Sequence, residues 1–416
     1  MTARVHVIGA GVSGLSAAVH LARRGYEVRV YEAAAHAGGR CRSYFDRTLE
    51  QKIDNGNHLV LSGNRAIVDY LNLIGTRDTM WEPVRAEFPF LDLNSDERWT
   101  VRPDQGRIPW SLFSSDKRVP GSSFLEYLNG LRLAIAGPEQ TAQSCLDRGG
   151  VLYRRFWEPL AVSVLNTDVS EASAKLLWPV LRETFGRGET ACRPMIPKQG
   201  LSETFVDPAI RYLERKNGQV LYGQRLKSFV FEAGRASGLD FGDQLTDVAE
   251  RDRVVLAVPP SAAKNLLPDI VMPDQFRAIV NAHFLLPRTS ADVSFLGLVG
   301  GIGHWLFVRG NIASVTVSAA EELVEQSAEK IAAQMWPEIT KALDLGDIPV
   351  GVYRIVKEKR ATFAQTPEQV LMRPATRTSW TNLLLAGDWT DTGLPATIEG
   401  SIRSGENAAL LAGKSA

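Results

Sequence analysis

The stretch Val5-His6-Val7-Ile8-Gly9-Ala10-Gly11-Val12-Ser13-Gly14 decides the fold, because an apolar run leads directly into three glycines spaced Gly-x-Gly-x-x-Gly. Residues 5–8 predict a buried strand, and the Ala-rich residues 15–24 predict a helix that Gly25 is placed to end. A second strand follows and ends in Glu32. A strand, a glycine turn, a helix and a strand with a terminal acid, all within about thirty residues, predict a Rossmann-type dinucleotide-binding unit.

Each residue type in this unit suits phosphate or ribose binding. Gly9 permits the tight turn, Gly11 lets the backbone approach a pyrophosphate, and Gly14 lets the helix and strand pack closely. The helix N-terminus offers unpaired N–H groups and the positive end of the helix dipole to phosphates. Glu32 can accept hydrogen bonds from a ribose 2′-hydroxyl, and its charge disfavours a 2′-phosphate, so we predict a site that does not bind NADP.

Two further segments favour FAD over NAD. Gly38-Gly39-Arg40 follows the second strand and would bring a flexible turn and a cation to the pyrophosphate. Near the other end, residues 383–386 read as a buried strand that ends in Gly387 and Asp388, and residues 397–405 open the final helix. The acid could bind ribityl hydroxyls, and the helix start could approach the pyrophosphate and the flavin edge. We therefore predict non-covalent FAD and, beyond the first unit, these binding residues: Gly39, Arg40, Gly387, Asp388, Glu399 and Ile402.

Composition excludes several other classes of protein. The chain has 416 residues, enough for two domains, and its 47 Lys+Arg balance its 47 Asp+Glu, so we expect no nucleic-acid partner. The three cysteines lie far apart and the six histidines lack ligand spacing, which predicts neither a disulfide framework nor a metal site. No uninterrupted apolar run approaches the ~20 residues that span a bilayer. We expect a cytoplasmic protein, and peripheral contact with the inner membrane stays open.

Together these motifs resemble the amine oxidase and phytoene desaturase superfamily of flavoproteins. The resemblance extends to residues 199–201, which look like the turn that re-enters the FAD domain, and to residues 254–260, which look like its buried strand with a Pro-Pro stop. Residues 217–220 look like the strand whose backbone contacts the adenine in that superfamily. The resemblance therefore implies that Val220 is a cofactor-binding position.

A narrower resemblance is to the hydroxysqualene dehydroxylases, the squalene-associated FAD enzymes of bacterial hopanoid pathways. It rests on Ile53-Asp54-Asn55-Gly56-Asn57-His58, Arg155-Phe156-Trp157-Glu158-Pro159-Leu160, Leu165-Asn166-Thr167 and Ala386-Gly387-Asp388-Trp389-Thr390. Members more often have Gln where this chain has Asn57, and both side chains are amides. The resemblance implies that hydroxysqualene is reduced to squalene with loss of its hydroxyl. It also implies four substrate-binding residues: Asn57, Trp157, Asn166 and Trp389.

The predicted fold class is α/β, or α+β overall, with a Rossmann-type FAD-binding domain built from discontinuous segments. We assign residues 1–60, 200–262 and 378–416 to this domain, and residues 61–199 and 263–377 to an inserted substrate domain of mixed helices and sheet.

Within the substrate domain, apolar residues recur every three or four positions in 121–186, which predicts helices, whereas 280–360 alternate more like strands. A polyisoprenoid needs a long apolar tunnel, and residues 124–136 and 152–165 could line it or dip into a lipid surface.

For the mechanism, we hypothesise that the allylic hydroxyl leaves as water and that reduced FAD delivers hydride from N5 to the resulting cation. Hydroxide is a poor leaving group, so a general acid is expected. His58 and Asp54 are the candidates, since the superfamily places this segment near the isoalloxazine, and histidine titrates near neutral pH. The sequence contains no second complete dinucleotide unit, so free NAD(P)H or a partner reductase could recharge the flavin. Upstream squalene-pathway enzymes are further candidate partners.

Three alternatives stay open. An isoprenoid desaturase shares the fold, the cofactor and the tunnel but works in the oxidising direction. An amine oxidase usually has an aromatic cage beside the flavin, which the sequence does not locate, and residues 394–397 offer no cysteine for a covalent flavin link. A non-catalytic carrier would bind flavin and isoprenoid without exchanging electrons between them.

Overall fold

The computed structural model describes residues 3–289 and 294–413. Its strands are β1 Arg4–Ile8, β2 Glu27–Glu32, β3 Ser43–Asp46, β4 Gln51–Asp54, β5 Val60–Leu61, β6 Met80–Trp81, β7 Phe88–Asp92, β8 Arg98–Val101, β9 Pro194–Pro197, β10 Gln219–Tyr222, β11 Ser228–Glu232, β12 Arg235–Asp240, β13 Leu245–Asp247, β14 Arg253–Leu256, β15 Phe276–Leu285, β16 Ser294–Val299, β17 Trp305–Arg309, β18 Ile312–Ser318, β19 Tyr353–Phe363 and β20 Leu383–Leu385. Its α-helices are α1 Val12–Arg23, α2 Arg65–Ile74, α3 Phe124–Leu128, α4 Ala142–Leu146, α5 Glu158–Leu165, α6 Ala174–Glu183, α7 Asp207–Arg215, α8 Pro260–Leu266, α9 Ala328–Ala342, α10 Pro367–Leu371 and α11 Ile398–Ala412. Every helix in these two ranges is too short or too polar to cross a bilayer.

A five-stranded parallel sheet forms the first layer, in the order β10-β2-β1-β14-β20. The inner strands β1 and β14 and the edge strand β20 are almost wholly buried, as expected of a parallel sheet that is covered on both faces. Helices α1 and α11 pack tightly on one face, where a Cβ on Gly405 would lie 2.2 Å from the Ser13 carbonyl oxygen. The antiparallel sheet β11-β12-β13 and α8 share a core with the other face. This layer confirms the predicted Rossmann-type α/β fold.

The second layer is a seven-stranded sheet in the order β19-β15-β18-β17-β16-β7-β8, antiparallel except for the parallel pair β16 and β7. The predicted strand character of 280–360 is confirmed for β17, β18 and β19. Helix α9 interrupts it, because Ile331, Met335 and Ile339 recur at helical spacing and are fully buried against the sheet. Ser327 caps this helix by accepting a hydrogen bond from the Lys330 N–H at 3.2 Å.

Residues 121–186, called the helical region below, contain α3 to α6 together with a 3₁₀ turn at Asn129–Ile135 and a π turn at Tyr153–Trp157. The helical prediction for this region is therefore confirmed. The region packs against β7 and the neighbouring strands of the seven-stranded sheet, in a core that contains Phe88, Phe90 and Phe295.

The two sheets draw their strands from the segments assigned to the two domains. All strands of the parallel sheet fall in 1–60, 200–262 and 378–416, and all strands of the seven-stranded sheet fall in 61–199 and 263–377. One helix departs from this division: α2 packs on α11 in the core of the parallel-sheet layer, although it follows residue 60. The exact domain boundaries stay a prediction.

Candidate functional site

One continuous cavity of about 980 Å³ connects the start of α1 to the space between the seven-stranded sheet and the helical region. Ligand pockets commonly measure about 300–1,000 Å³, so this one is large enough for an extended ligand. Glycine turns and polar residues of the parallel-sheet layer line one part of it. The other part is mostly apolar and includes Phe88, Phe90, Phe156, Leu160, Val164, Phe185, Trp305 and Phe307.

The first glycine turn has room for a phosphate group where the sequence predicts one. Gly9 has φ +104°, and a Cβ there would lie 2.6 Å from the Ala257 carbonyl oxygen; a Cβ on Gly14 would lie 1.9 Å from the Gly9 carbonyl oxygen. A Cβ on Gly11 would meet nothing within 4 Å, because Gly11 borders the cavity. No side chain caps α1, so its first N–H groups can bind a ligand. These features fit a dinucleotide pyrophosphate.

A second glycine turn lies directly against the first. The Gly38 N–H donates to the Ala10 carbonyl at 2.8 Å, and Gly39 has φ +58° and borders the cavity. A Cβ on Gly39 would lie 3.4 Å from the Gly11 Cα. The predicted pair of turns is thus brought together at one end of the cavity.

Glu32 ends β2 and borders the same part of the cavity. Its two carboxylate oxygens accept hydrogen bonds from the N–H groups of Ala10 and Ala34, each at 2.8 Å. A carboxylate has about four acceptor sites, so two remain for ribose hydroxyls. The contacts hold the acid in the place where the sequence predicts ribose binding.

Arg40 and Asp388 form an ion pair across the cavity wall, with 2.8 Å between Nη2 and Oδ2. Arg40 also donates to the Ala361 carbonyl in β19, which ties the first segment of the chain to the second layer. The Gly387 N–H donates to Ser404 Oγ at 2.8 Å, so α11 fixes the turn that carries Asp388. Arg40, Gly387 and Asp388 therefore border one cavity although their positions in the chain are far apart.

Two predicted cofactor residues do not reach the cavity. Ile402 is fully buried in the core between α11 and α1, and its carbonyl accepts a hydrogen bond from Ser16 Oγ at 2.8 Å. Val220 packs against the core from within β10. The chain that follows β10, residues 224–227, borders the cavity instead. The adenine contact implied for this strand concerns its backbone and stays a prediction.

Glu399 borders the cavity and also has a structural task. Its carboxylate accepts from the N–H groups of Ala66 at 3.1 Å and Ile67 at 2.9 Å, and it pairs with Arg403 at 2.8 Å. It thereby caps the start of α2, where the helix dipole favours a negative charge. Burial raises the pKa of this carboxyl.

Of the two predicted substrate-binding tryptophans, one borders the cavity. Trp389 does so, and its Nε1 donates to the Val258 carbonyl at 3.0 Å. Trp157 lies behind the wall, against Gly130, where a Cβ would be 2.8 Å from the indole ring. Its neighbour Phe156 borders the cavity instead, and substrate binding by Trp157 stays a prediction.

A group of polar side chains interrupts the apolar lining where β15 and β18 face Asn57. Asn57 Nδ2 donates to Thr316 Oγ1 at 3.0 Å, and that hydroxyl donates to Asn281 Oδ1 at 2.7 Å. All three residues border the cavity. Sequence reasoning found Asn57 and missed Asn281 and Thr316, although polar residues inside apolar strands were a usable signal.

Asn166 ends α5 with φ +44° and also borders the cavity. Its Nδ2 donates to Thr362 Oγ1 at 3.0 Å and its Oδ1 accepts from the Ala319 N–H at 2.8 Å. The amide thus joins the helical region to β19 and to the residue that follows β18, in addition to bordering the cavity.

Asp54 is buried and fully engaged. Its Oδ1 accepts from Ser43 Oγ at 2.6 Å and from the Leu201 N–H at 3.0 Å, and its Oδ2 pairs with Arg309 Nη1 at 2.9 Å. It does not border the large cavity. Both carboxylate oxygens are engaged by other parts of the protein, so the geometry favours a positioning role over the predicted proton donation.

His58 has the better position for proton transfer. It borders the large cavity and also a smaller one that is described below. Burial lowers the pKa of His58 to about 4, with Asp54 opposing and Arg40 adding to that effect. The ring is therefore mostly neutral at pH 7.

Behind His58 lies a second cavity of about 20 Å³, which has room for one water molecule. It is bordered by Asp54, His58, Arg309 and also by His283, which sequence reasoning missed. His283 Nδ1 is 2.7 Å from Ser314 Oγ, and its buried Nε2 has no partner in the described parts of the chain. Burial lowers the pKa of His283 to about 4 as well.

Comparisons with known proteins agree with this architecture. The family model described as flavin containing amine oxidoreductase matches residues 12–411. The chain is 45% identical to a hydroxysqualene dehydroxylase from Sinorhizobium fredii over 99% of both chains. It is 46% identical to one from Rhodopseudomonas palustris over 99% of this chain and 98% of the relative. Among solved structures, cyclohexylamine oxidase from Brevibacterium oxydans superposes with a TM-score of 0.68 at 15% identity over 99% of both chains, which shows the fold alone.

Proposed function

The chain belongs to the flavin-containing amine oxidoreductases and, within them, to the hydroxysqualene dehydroxylases, and on this basis we propose that it reductively removes the hydroxyl of hydroxysqualene to give squalene with FAD as its cofactor. The observation that carries the proposal is the identity of 45% over nearly the whole length of a relative with that name. The cavity supports it independently, because it joins a dinucleotide-binding end to a mostly apolar wall.

The parallel-sheet end of the cavity would hold the cofactor. The N–H groups at the start of α1 and the open face of Gly11 suit the pyrophosphate, Glu32 suits the ribose, and Arg40 with Asp388 suits the phosphate and the ribityl chain. Bound and reduced, FAD supplies the hydride equivalent that the reaction consumes.

The apolar part of the cavity would bind the hydrocarbon chain. Burying apolar surface stabilises binding by about 25 cal/mol per Å², and the aromatic lining around Phe156 and Phe307 supplies such surface. A single hydroxyl on a long hydrocarbon would be placed by the polar group of Asn57, Asn281 and Thr316, because a buried hydroxyl needs a partner. This contrast between apolar wall and polar group would set both the position and the direction of the substrate.

The chemistry needs one proton as well as one hydride. The carbon–oxygen bond breaks, its oxygen leaves as water after taking the proton, and a carbon–hydrogen bond forms in its place. His58 is our proposed proton donor, since it borders the cavity beside the polar group of Asn57, Asn281 and Thr316. An imidazolium with a pKa of about 4 is a better proton donor to the leaving oxygen than one with the ordinary value of 6.5, although little of it is protonated at pH 7. Asp54 would hold the segment that carries His58 in place through its contacts with Arg309 and the Leu201 N–H.

Several finer parts of the proposal concern the surroundings of the reaction. The chain contains one complete strand–Gly-x-Gly-x-x-Gly–helix unit, which supports an external electron donor, either NAD(P)H or a partner reductase. A cytoplasmic location, peripheral contact with the inner membrane, contact with upstream squalene-pathway enzymes and the two-domain division given above belong to the proposal as well.

An anaerobic single turnover tests the proposed reaction. The purified flavoprotein is reduced, mixed with hydroxysqualene, and followed by flavin absorbance and by mass spectrometry of the lipid; reduced protein mixed with squalene is the control. We expect the flavin to reoxidise with one squalene formed for each flavin. Flavin that stays reduced with unchanged lipid would reject the dehydroxylase.

The second candidate function is an isoprenoid desaturase, which the same apolar cavity would serve. It predicts that oxidised protein introduces double bonds into a saturated-bond isoprenoid and that its flavin becomes reduced. This result, together with no loss of hydroxyl in the first experiment, would replace the dehydroxylase by the desaturase.

A further inference from the structure

Residues 108–135 expose an unusual amount of apolar side chain. Ile135 is 85% exposed and Leu125 is 71% exposed. The other exposed large apolar side chains of this segment are Ile108, Trp110, Phe113, Leu128 and Leu131. We call these seven residues the apolar surface. Contiguous apolar patches of this kind are rare on monomeric soluble proteins and mark interaction sites.

Aromatic contacts join the first part of the apolar surface to the start of α3, which carries the next part. The ring centroids of Trp110 and Phe113 are 6.0 Å apart, and Phe113 stacks on Phe124 at 4.7 Å. Leu125 and Leu128 lie in and at the end of α3, and the 3₁₀ turn that follows carries Leu131 and Ile135. The outward side of this segment is therefore apolar, while Gly130 and Leu133 are buried on its inward side.

The inward side connects this surface to the cavity wall. A Cβ on Gly130 would lie 2.8 Å from the Trp157 ring, and Trp157 packs against Phe156 with centroids 4.9 Å apart. Phe156 borders the large cavity. Two layers of side chains thus separate the apolar surface from the space that would bind the hydrocarbon.

Charged residues around the apolar surface are mostly positive. Arg107 and Lys117 are exposed, and Arg118 and Arg132 are partly exposed. Of the acidic residues in the segment, Glu126 is engaged by the N–H groups of Ser123 and Leu152, which leaves Asp116 as the exposed acid between 107 and 135. Exposed apolar side chains with a tryptophan and a basic rim match the interface of a bilayer that contains anionic lipid.

We propose that residues 108–135 dock the protein on the surface of an anionic lipid bilayer, with the apolar surface inserted among the headgroups and Arg107 and Lys117 contacting their phosphates. The inference rests on the proposed function in one respect: a substrate that partitions into membranes explains why the docking surface lies beside the wall of the substrate cavity. A second copy of the chain is the competing occupant, and its basic rim would face another basic rim in a two-fold dimer.

Vesicle co-sedimentation tests the docking surface. The probes are the flavoprotein with vesicles of phosphatidylcholine plus phosphatidylglycerol and with vesicles of phosphatidylcholine alone. The test variant is the double substitution Leu125→Glu with Ile135→Glu. The matched control is Leu245→Glu with Val271→Glu, which changes two similarly exposed apolar residues elsewhere. Circular dichroism and flavin absorbance establish that both variants fold and bind FAD.

We expect the wild-type protein and the control to sediment with the anionic vesicles, and the test variant to bind at least about tenfold more weakly. Equal binding by the test variant and the wild type would overturn the proposal, as would a wild-type protein that binds neither vesicle. A wild-type protein that is dimeric and binds no vesicles, with a test variant that is monomeric, would assign the apolar surface to a second copy of the chain. That result would also overturn the proposal.

Turnover assays separate this proposal from the proposed function. In detergent, the test variant should convert hydroxysqualene like the wild type, whereas it should be slower when the substrate is presented in anionic vesicles. Absence of turnover by the wild type in detergent would reject the dehydroxylase. The docking proposal would not be affected, because the vesicle-binding experiment tests it without any turnover. Equal loss of turnover by the test variant in detergent and vesicles would contradict a docking role.

Discussion

Proton supply by His58 predicts a steep pH dependence. Burial lowers the pKa of this imidazole to about 4, so only about one molecule in a thousand carries the proton at pH 7. The protonated fraction rises about tenfold for each pH unit below 7 until the pH approaches the pKa. The rate of dehydroxylation in a single turnover should therefore increase about tenfold for each unit by which the pH is lowered from 7.5 to 5.5. This whole range lies above the pKa, so the increase should not level off within it.

The assay is anaerobic stopped flow at saturating hydroxysqualene, with the reduced flavin as the optical signal. His58→Gln keeps a polar side chain of similar length but does not titrate, so the variant should be slower and its rate nearly independent of pH. His36→Gln is the matched control, because His36 is exposed and does not border the cavity. It should retain the wild-type slope.

Two results would refute the reasoning. A wild-type rate that does not change between pH 7.5 and pH 5.5 would mean that protonated His58 does not supply the proton. A His58→Gln variant that keeps both its bound FAD and the wild-type slope would assign the titration to another group. Either result would redirect attention to the hydroxyl-binding residues, since a neutral donor could then protonate the leaving oxygen.

Three further predictions concern cofactor binding, the buried ion pair and acid stability. Gly11→Ala should lower the FAD content measured by absorbance without changing the melting temperature of the apo-protein. Gly14→Ala should lower both quantities, because its Cβ would lie 1.9 Å from a carbonyl oxygen. Full FAD content in Gly11→Ala would contradict the placement of the pyrophosphate. Asp54→Asn should lower the free energy of unfolding, measured with denaturant, by about 1–3 kcal/mol, since it leaves Arg309 without its charged partner. Loss of turnover with no loss of stability would instead support proton donation by Asp54. Burial lowers the pKa of His283 from 6.5 to about 4 in the folded protein, so unfolding takes up a proton between these pH values. The free energy of unfolding should therefore fall by up to about 3 kcal/mol as the pH decreases from 6.5 to 4. In denaturant titrations at several pH values, His283→Gln should show a smaller decrease.

Much of the dinucleotide end could be predicted because its determinants are local. The glycine spacing requires tight backbone approaches within one turn, which the contacts of Gly9 and Gly14 display. The position of Glu32 could be predicted because one helix and one strand of ordinary length separate it from the glycine turn. Arg40 and Asp388 were identified separately, and only the fold brought them within 2.8 Å.

The substrate end could be predicted less well because side-chain direction is not a local property there. Phe156 and Trp157 are adjacent, and the π turn decides which of them faces the cavity. Asn281 and Thr316 lie on different strands, and their side chains meet Asn57 only through the register of β15 and β18. No spacing rule in the sequence specifies that register.

By itself, the sequence determined that this chain binds a dinucleotide through a Rossmann-type layer, because consecutive residues must satisfy the geometry of one turn and one helix start. Tertiary structure decided which polar residues border the cavity and which hold the fold. Asp54 is the clearest case: it precedes His58 by four positions in the sequence, yet its partner Arg309 comes from a strand 255 positions later. A buried charge must be paired, and that pairing is settled only when distant segments pack together.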